Sequence, residues 1–142
     1  MRNHLYENLF KMLKMGMLKK EMFKDNDIDQ ILDLRDEKIF DEKWMEIYNY
    51  LKQFKIEFDN ELITKIRKEA FLNTIRLSGS SELAGYVSDD FELFCNAIEL
   101  GYDNKWLNGM FHCYLTLQFP CGKIENIEEN IEKQIDNYLK DM

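Results

Sequence analysis

Nearly every stretch of this chain repeats its apolar residues at intervals of three and four, and proline, the residue that most firmly ends a helix, occurs once, at Pro120. Such spacing turns one side of each successive turn inward and leaves almost no room for sheet. The expected fold is all-α: one compact single-domain bundle, residues 1–142, of about six to eight helices. A chain of 142 residues can bury a core without metal or disulfide staples. With 45% hydrophobic and 13% aromatic residues it is too apolar for disorder. No apolar run approaches the ~18 residues a membrane span needs.

Along the chain, 3–23 reads as a helix that breaks at Lys24-Asp25-Asn26-Asp27, with Asp27 capping a short helix through Arg35. Asp41 precedes the stripe Trp44, Ile47, Tyr48 and Leu51, a helix expected to end between Phe54 and Phe58. From Asn60, the series Leu62, Ile63, Ile66, Ala70, Phe71 and Ile75 makes a long helix closed by Gly79. A short helix over 81–87 follows, turning Leu83, Ala84 and Val87 inward. Ser88-Asp89-Asp90 then reads as a second helix start, a hydroxyl cap with two carboxylates at the positive end of the macrodipole. That helix is expected to bury Phe91, Phe94, Ala97 and Ile98 and stop at Gly101. Asp103 or Asn104 caps the next one, whose Trp106, Leu107, Met110, Phe111, Tyr114 and Leu115 mark it as the central core helix. After a stop at Phe119-Pro120-Cys121-Gly122, the residues Ile124, Ile127, Ile131, Ile135 and Tyr138 line a last amphipathic helix starting near Lys123. No internal repeat and no linker divides the chain.

Charge is unevenly distributed. Between Arg76 and Lys105 the chain runs 28 residues without a Lys or Arg, while Glu82, Asp89, Asp90, Glu92, Glu99 and Asp103 all fall in the gap. Tyr86, Phe91, Phe94 and Tyr102 are interleaved with them. A negative surface with aromatic anchors suits a cationic partner, although a solvated acidic face gives the same pattern. The net charge of −8 argues against direct binding to nucleic acid, whose phosphates it would repel. It is the sign expected of a protein that binds nucleic-acid-binding proteins.

Catalytic chemistry has little to stand on. Of the two histidines, His4 lies near the terminus and His112 reads as packed among core aromatics or at their rim. His112, Cys113 and Cys121 match no zinc-site spacing, so neither metal nor cofactor is implied. Cys95 and Cys113 fall on inner helical positions, where a thiol behaves as a small apolar group. The Walker lysine is missing, and the carboxylate pairs Asp89/Glu92 and Glu99/Asp103 lack an accompanying histidine. A divalent-cation hydrolase is the least supported reading. Three irregularly spaced cysteines and an N-terminus interrupted by Lys11 and Lys14 point to the cytoplasm. The N-terminal face Leu5, Leu9, Phe10, Met12, Leu13 and Met17 is either a core helix, the reading preferred here, or a membrane-surface one.

The stretches Ser81-Glu82-Leu83-Ala84-Gly85-Tyr86-Val87-Ser88-Asp89-Asp90-Phe91-Glu92-Leu93, Gly101-Tyr102-Asp103-Asn104-Lys105-Trp106-Leu107-Asn108-Gly109 and Gln118-Phe119-Pro120 resemble a segment of small helical immunity proteins. These are cytoplasmic antidotes of bacterial polymorphic toxins, including contact-dependent growth inhibition systems. The resemblance spans residues 81–120. It implies an acidic, non-enzymatic inhibitor that binds the C-terminal domain of its cognate toxin, often a basic nuclease, and covers the active site or substrate surface.

The expected function is therefore toxin neutralisation through Glu82, Tyr86, Asp89, Asp90, Glu92, Glu99, Tyr102 and Asp103. If Asp89 and Asp90 serve chiefly to start a helix, Glu82, Glu92, Glu99 and Asp103 carry more of the contact, with Tyr86 and Tyr102 as anchors. A monomer is expected, with the isoleucine stripe of the last helix packed internally. The alternative is a helical adaptor or regulatory subunit that binds another protein through its basic N-terminus or its last helix.

Overall fold

The apolar spacing resolves into helices joined by short turns. The computed structural model describes residues 3–23, 28–54 and 61–141. Among them are seven α-helices: α1 (Asn3–Lys14), α2 (Ile28–Asp36), α3 (Lys38–Lys52), α4 (Glu61–Ser78), α5 (Ser81–Leu100), α6 (Lys105–Leu115) and α7 (Ile131–Lys140). A single 3₁₀ turn spans Lys20–Met22, and the described residues contain no strand. The expected break at 24–27, with Asp27 as a cap, lies outside the described residues, as do residues 55–58 of the expected helix end at 54–58; α3 itself stops at Lys52, just before that range.

Helix α1 is shorter than its apolar pattern. Gly16 at φ 87° turns the chain, and the Met17 amide donates back to the Met12 carbonyl at 3.1 Å, the long bond of a left-handed helix stop. Leu5, Tyr6, Leu9, Met12 and Leu13 are all buried in the main core. The apolar face is thus a core face, with Phe10 partly buried at its edge, and α1 packs on α4 and α7.

Helices α4 and α5 form a hairpin across Gly79 and Ser80 and make the principal packing of the fold. Gly79 at φ 73° ends α4, and the Ser80 hydroxyl accepts the Leu83 amide at 3.1 Å to start α5. The expected second start at Ser88 does not occur, because Ser80 has already capped a helix that runs unbroken to Leu100. Gly85 within it costs only about 1 kcal/mol of propensity, too little to break a helix so heavily buried. Gly101, left-handed at φ 62°, closes α5.

Helix α6 was expected to be the central core helix, yet α5 carries the longest run of buried residues, from Leu83 to Ile98. The two meet through an edge-to-face cluster of Phe91, Phe94, Phe111 and Tyr114, with ring centroids 5.0–5.9 Å apart. Each such pair adds roughly 0.5–1.5 kcal/mol beyond area burial. Asn104, the second of the two expected caps, starts α6 by accepting the Leu107 amide at 2.9 Å.

The last helix begins at Ile131, not near Lys123. The physical reason is that the backbone of Ile127 is committed to α6: its N–H donates to the Lys105 carbonyl at 3.0 Å and its carbonyl accepts from Asn108 Nδ2 at 3.2 Å. Residues 123–130 therefore form a strap across α6. The strap lies so close that a β-carbon on Gly109 would stand 1.9 Å from the Glu125 carbonyl oxygen. Asn130 then caps α7, accepting the Lys133 amide at 2.8 Å.

Candidate partner-binding surface

Continuity of α5 decides where its acidic residues point. Asp90 lies three residues beyond Val87 and four before Phe94, so it falls on the buried stripe, and its side chain is 0% exposed. Its Oδ1 receives Arg35 Nη2, from α2, and Trp44 Nε1, from α3, at 3.0 Å. Its Oδ2 receives the Tyr114 hydroxyl, from α6, at 2.6 Å. Arg35 Nη1 also donates to the Pro120 carbonyl at 3.3 Å, and its guanidinium lies 4.3 Å from the Phe40 ring centroid and 5.2 Å from those of Tyr86 and Phe119. Four helices and the strap approach thus converge on one internal carboxylate.

Asp90 is therefore a structural tie and not a surface contact, which corrects its expected place in the binding set. Burial pushes its carboxyl above the usual range, opposed by the Arg35 guanidinium and by the hydrogen bonds it accepts. Burial also raises the Tyr114 phenol well above its ordinary value, with the nearby Asp90 charge acting in the same direction. The sequence placed Trp44 and Tyr114 on inward helical faces and Arg35 at a helix end, but did not join them to Asp90. The available signal was an aspartate in register with Val87, Phe91 and Phe94.

The other expected contacts divide into separate groups. Glu82, Tyr86 and Asp89 share one outer face of α5, at positions i, i+4 and i+7; Glu82 and Asp89 are exposed and Tyr86 is half-buried. The Tyr86 hydroxyl donates to Asp36 Oδ1 at 3.0 Å. Arg67 of α4 reaches across to Asp89 and Glu92, each at 2.7 Å, and to the Ser88 hydroxyl at 3.2 Å. The stretch that is blank of basic residues in sequence is thus partly neutralised in space. Glu99 accepts the Tyr6 hydroxyl at 2.5 Å. Beyond the end of α5, Tyr102 packs on Tyr50 with centroids 4.9 Å apart, and Asp103 accepts from Asn108 at 2.8 Å.

Tyr86 and Asp89 also border a cleft of about 170 Å³ where α2, α3 and α5 meet, alongside Asp36, Asp41 and Trp44. Asp36, Asp41 and Asp89 are exposed there, and the Trp44 and Tyr86 rings are half-buried.

His112, expected to be packed or at the rim, is exposed. Burial raises all three thiols, Cys113 to about 11 and Cys95 further still, and all three cysteines are free. Among the described residues no group of His, Cys, Asp or Glu is arranged to hold a metal, and no helix is long and apolar enough to cross a membrane.

Fold and surface together define an all-α protein with a self-satisfied polar centre and an acidic, aromatic-walled outer face. A family comparison makes this specific: the chain belongs to the family Immunity protein PIM1, whose model matches residues 8–121. The match includes every member of the Asp90 cluster and encloses the resemblance drawn over 81–120; α7 lies beyond it. No curated protein matches the chain. This is an immunity protein family of the kind that answers bacterial toxins.

Proposed function

We propose that the protein binds the C-terminal domain of its cognate toxin, a basic nuclease of a contact-dependent growth inhibition type of system, and neutralises it in the cytoplasm as a monomer. The observation that carries this reading is the outer face of α5, where Glu82, Tyr86 and Asp89 align beside Asp36 and Asp41. Such a face attracts the basic groove in which a nuclease holds nucleic acid, speeds encounter, and covers the groove once docked. The inhibitor needs no turnover and no cofactor, and it contacts the toxin instead of the nucleic acid. Glu92, Glu99, Tyr102 and Asp103 form the outlying part of the contact. The adaptor reading is weaker, because the apolar face of α1 on which it partly relied is buried.

Co-expression with the cognate toxin domain tests the reading, followed by calorimetry on the purified pair. The expected result is restored growth and a one-to-one complex of nanomolar or tighter affinity. Glu82→Lys combined with Asp89→Asn should weaken binding by at least tenfold, about 1.4 kcal/mol, with only a modest drop in melting temperature from the lost Arg67 contact and the reversed first-turn charge of α5. Full affinity in that variant contradicts the acidic face as the contact.

A further inference from the structure

The geometry points to the cleft between α2, α3 and α5 as the seat of one arginine side chain presented by the toxin, an inference that rests on the toxin-binding reading above. Its volume, about 170 Å³, suits a single long side chain and not a helix or a loop. Charge at its edge is negative: Asp36, Asp41 and Asp89 border it and are exposed. Arg35 also lines the cleft, but its charge is matched by the buried Asp90, and its Nη atoms are engaged by Asp90 and the Pro120 carbonyl. The positive end of α3 opens nearby and is offset by Glu37 at the N-cap and Asp41 in the first turn.

The Asp41 amide is spent on the Glu37 carbonyl at 3.0 Å, but among the described residues no hydrogen bond or ion pair engages its exposed carboxylate, which is available to an incoming donor. Asp36 accepts the Tyr86 hydroxyl on Oδ1, leaving Oδ2 for a second bond. The aromatic walls are fixed before any partner arrives. Trp44 is held by its indole N–H on Asp90 and by stacking on Tyr48 at 5.5 Å and 15°. Tyr86 is held by Asp36. Rings ordered in advance lose little freedom on binding. A planar cation that can lie on an aromatic face while donating to two carboxylates is a guanidinium; an ammonium offers neither the plane nor the fork.

Two measurements on the full chain test this. In the first, ¹⁵N-labelled protein is titrated with N-acetyl-L-arginine amide, and in parallel with the neutral N-acetyl-L-norleucine amide. The arginine probe should shift the Trp44 indole N–H and the Tyr86 amide along a saturable curve that the norleucine probe does not reproduce. Asp41→Lys, or Asp41→Asn should the reversal fail to fold, should weaken that response. Equal response to both probes, an unmoved Trp44, or an unchanged titration in both variants overturns the assignment.

In the second, wild type and Asp41→Lys are compared for binding to the cognate toxin domain. A loss of at least tenfold is expected, with the melting temperature lowered only slightly by reversal of the first-turn charge of α3, and equal affinity overturns the seat as a toxin contact. If wild type binds the arginine probe at Trp44 and does not bind the toxin domain, the toxin reading fails while the guanidinium specificity of the cleft stands.

Discussion

The Arg35 guanidinium and the Asp90 carboxylate form a buried ion pair, with only 5% and 0% of their side chains exposed. Joining α2 to α5, the pair is viable because Trp44 and Tyr114 supply further donors to the carboxylate. Removing one partner leaves the other charge buried and uncompensated, a cost of about 3–5 kcal/mol, whereas replacing both with apolar groups of similar volume is often close to neutral. Arg35→Met alone should therefore lower stability by about that amount, and adding Asp90→Leu should cost less than the sum of the two single changes, although it leaves the Trp44 and Tyr114 donors without their acceptor. Urea unfolding of the two single variants and the double variant measures the difference. Additive losses would mean that the pair is not a coupled unit.

Two glycines should respond in opposite directions to alanine. At Gly109 a β-carbon meets the Glu125 carbonyl oxygen at 1.9 Å, so the strap must move off α6. Gly109→Ala should cost at least about 1–3 kcal/mol, the usual range for overpacking. At Gly85, inside α5, a β-carbon meets nothing within 4 Å, and Gly85→Ala should stabilise by roughly 0.5–1 kcal/mol through helix propensity. Thermal melts of both variants check this. A stable Gly109→Ala protein would contradict the close crossing of the strap.

These cases show what was legible in the sequence. Apolar periodicity located the helices and their inner faces, since it follows directly from burial, and Gly79 and Gly101 marked helix ends because a left-handed residue is needed there. It failed where a local signal had a tertiary competitor. Ser88-Asp89-Asp90 has the chemistry of a helix start, but Ser88 and Asp89 serve Arg67 while Asp90 serves Arg35, interactions with residues more than twenty positions away. Ile124 and Ile127 fit the helical spacing of Ile131 and Ile135, yet the Ile127 backbone bonds to α6 instead. At the candidate surface, Glu82, Tyr86 and Asp89 could be read from the charge gap. That Asp36, Asp41 and Trp44 lie beside Tyr86 and Asp89 could not, because they come from helices distant in sequence.

The thiols should react slowly at neutral pH. Burial raises Cys113 to about 11 and holds Cys95 and Cys121 above their usual value, and the thiolate is the reactive form. Alkylation by iodoacetamide should speed up as pH rises from 7 towards 11 at Cys113, with Cys95 protected until the protein unfolds. Because the folded protein holds the Cys113 proton more tightly than the unfolded chain does, this group's contribution to stability is present below the unfolded value, near pH ~8.5. It is lost as pH rises through about 11. Peptide mapping after timed labelling reads the order, and rapid labelling of Cys95 in native protein would contradict its burial.

Arg67 offers a test of charge without the internal pair. It bridges Asp89 and Glu92 at a site where its own side chain is 36% exposed, so Arg67→Ala should lower stability by no more than about 1 kcal/mol. The same change makes the α5 face one unit more negative. Association with a basic toxin domain should then be faster at low salt, as measured by stopped-flow mixing. A slower rate would mean that Arg67 itself contacts the toxin.

The most direct test of capture by an acidic face is the association rate of the wild-type protein with its cognate toxin domain as ionic strength is raised. Opposite charges separated in water are screened over ~8–10 Å at physiological salt. The predicted result is a steep fall in the association rate with little change in dissociation. An association rate that stays constant across the salt series would contradict an electrostatic encounter through this face.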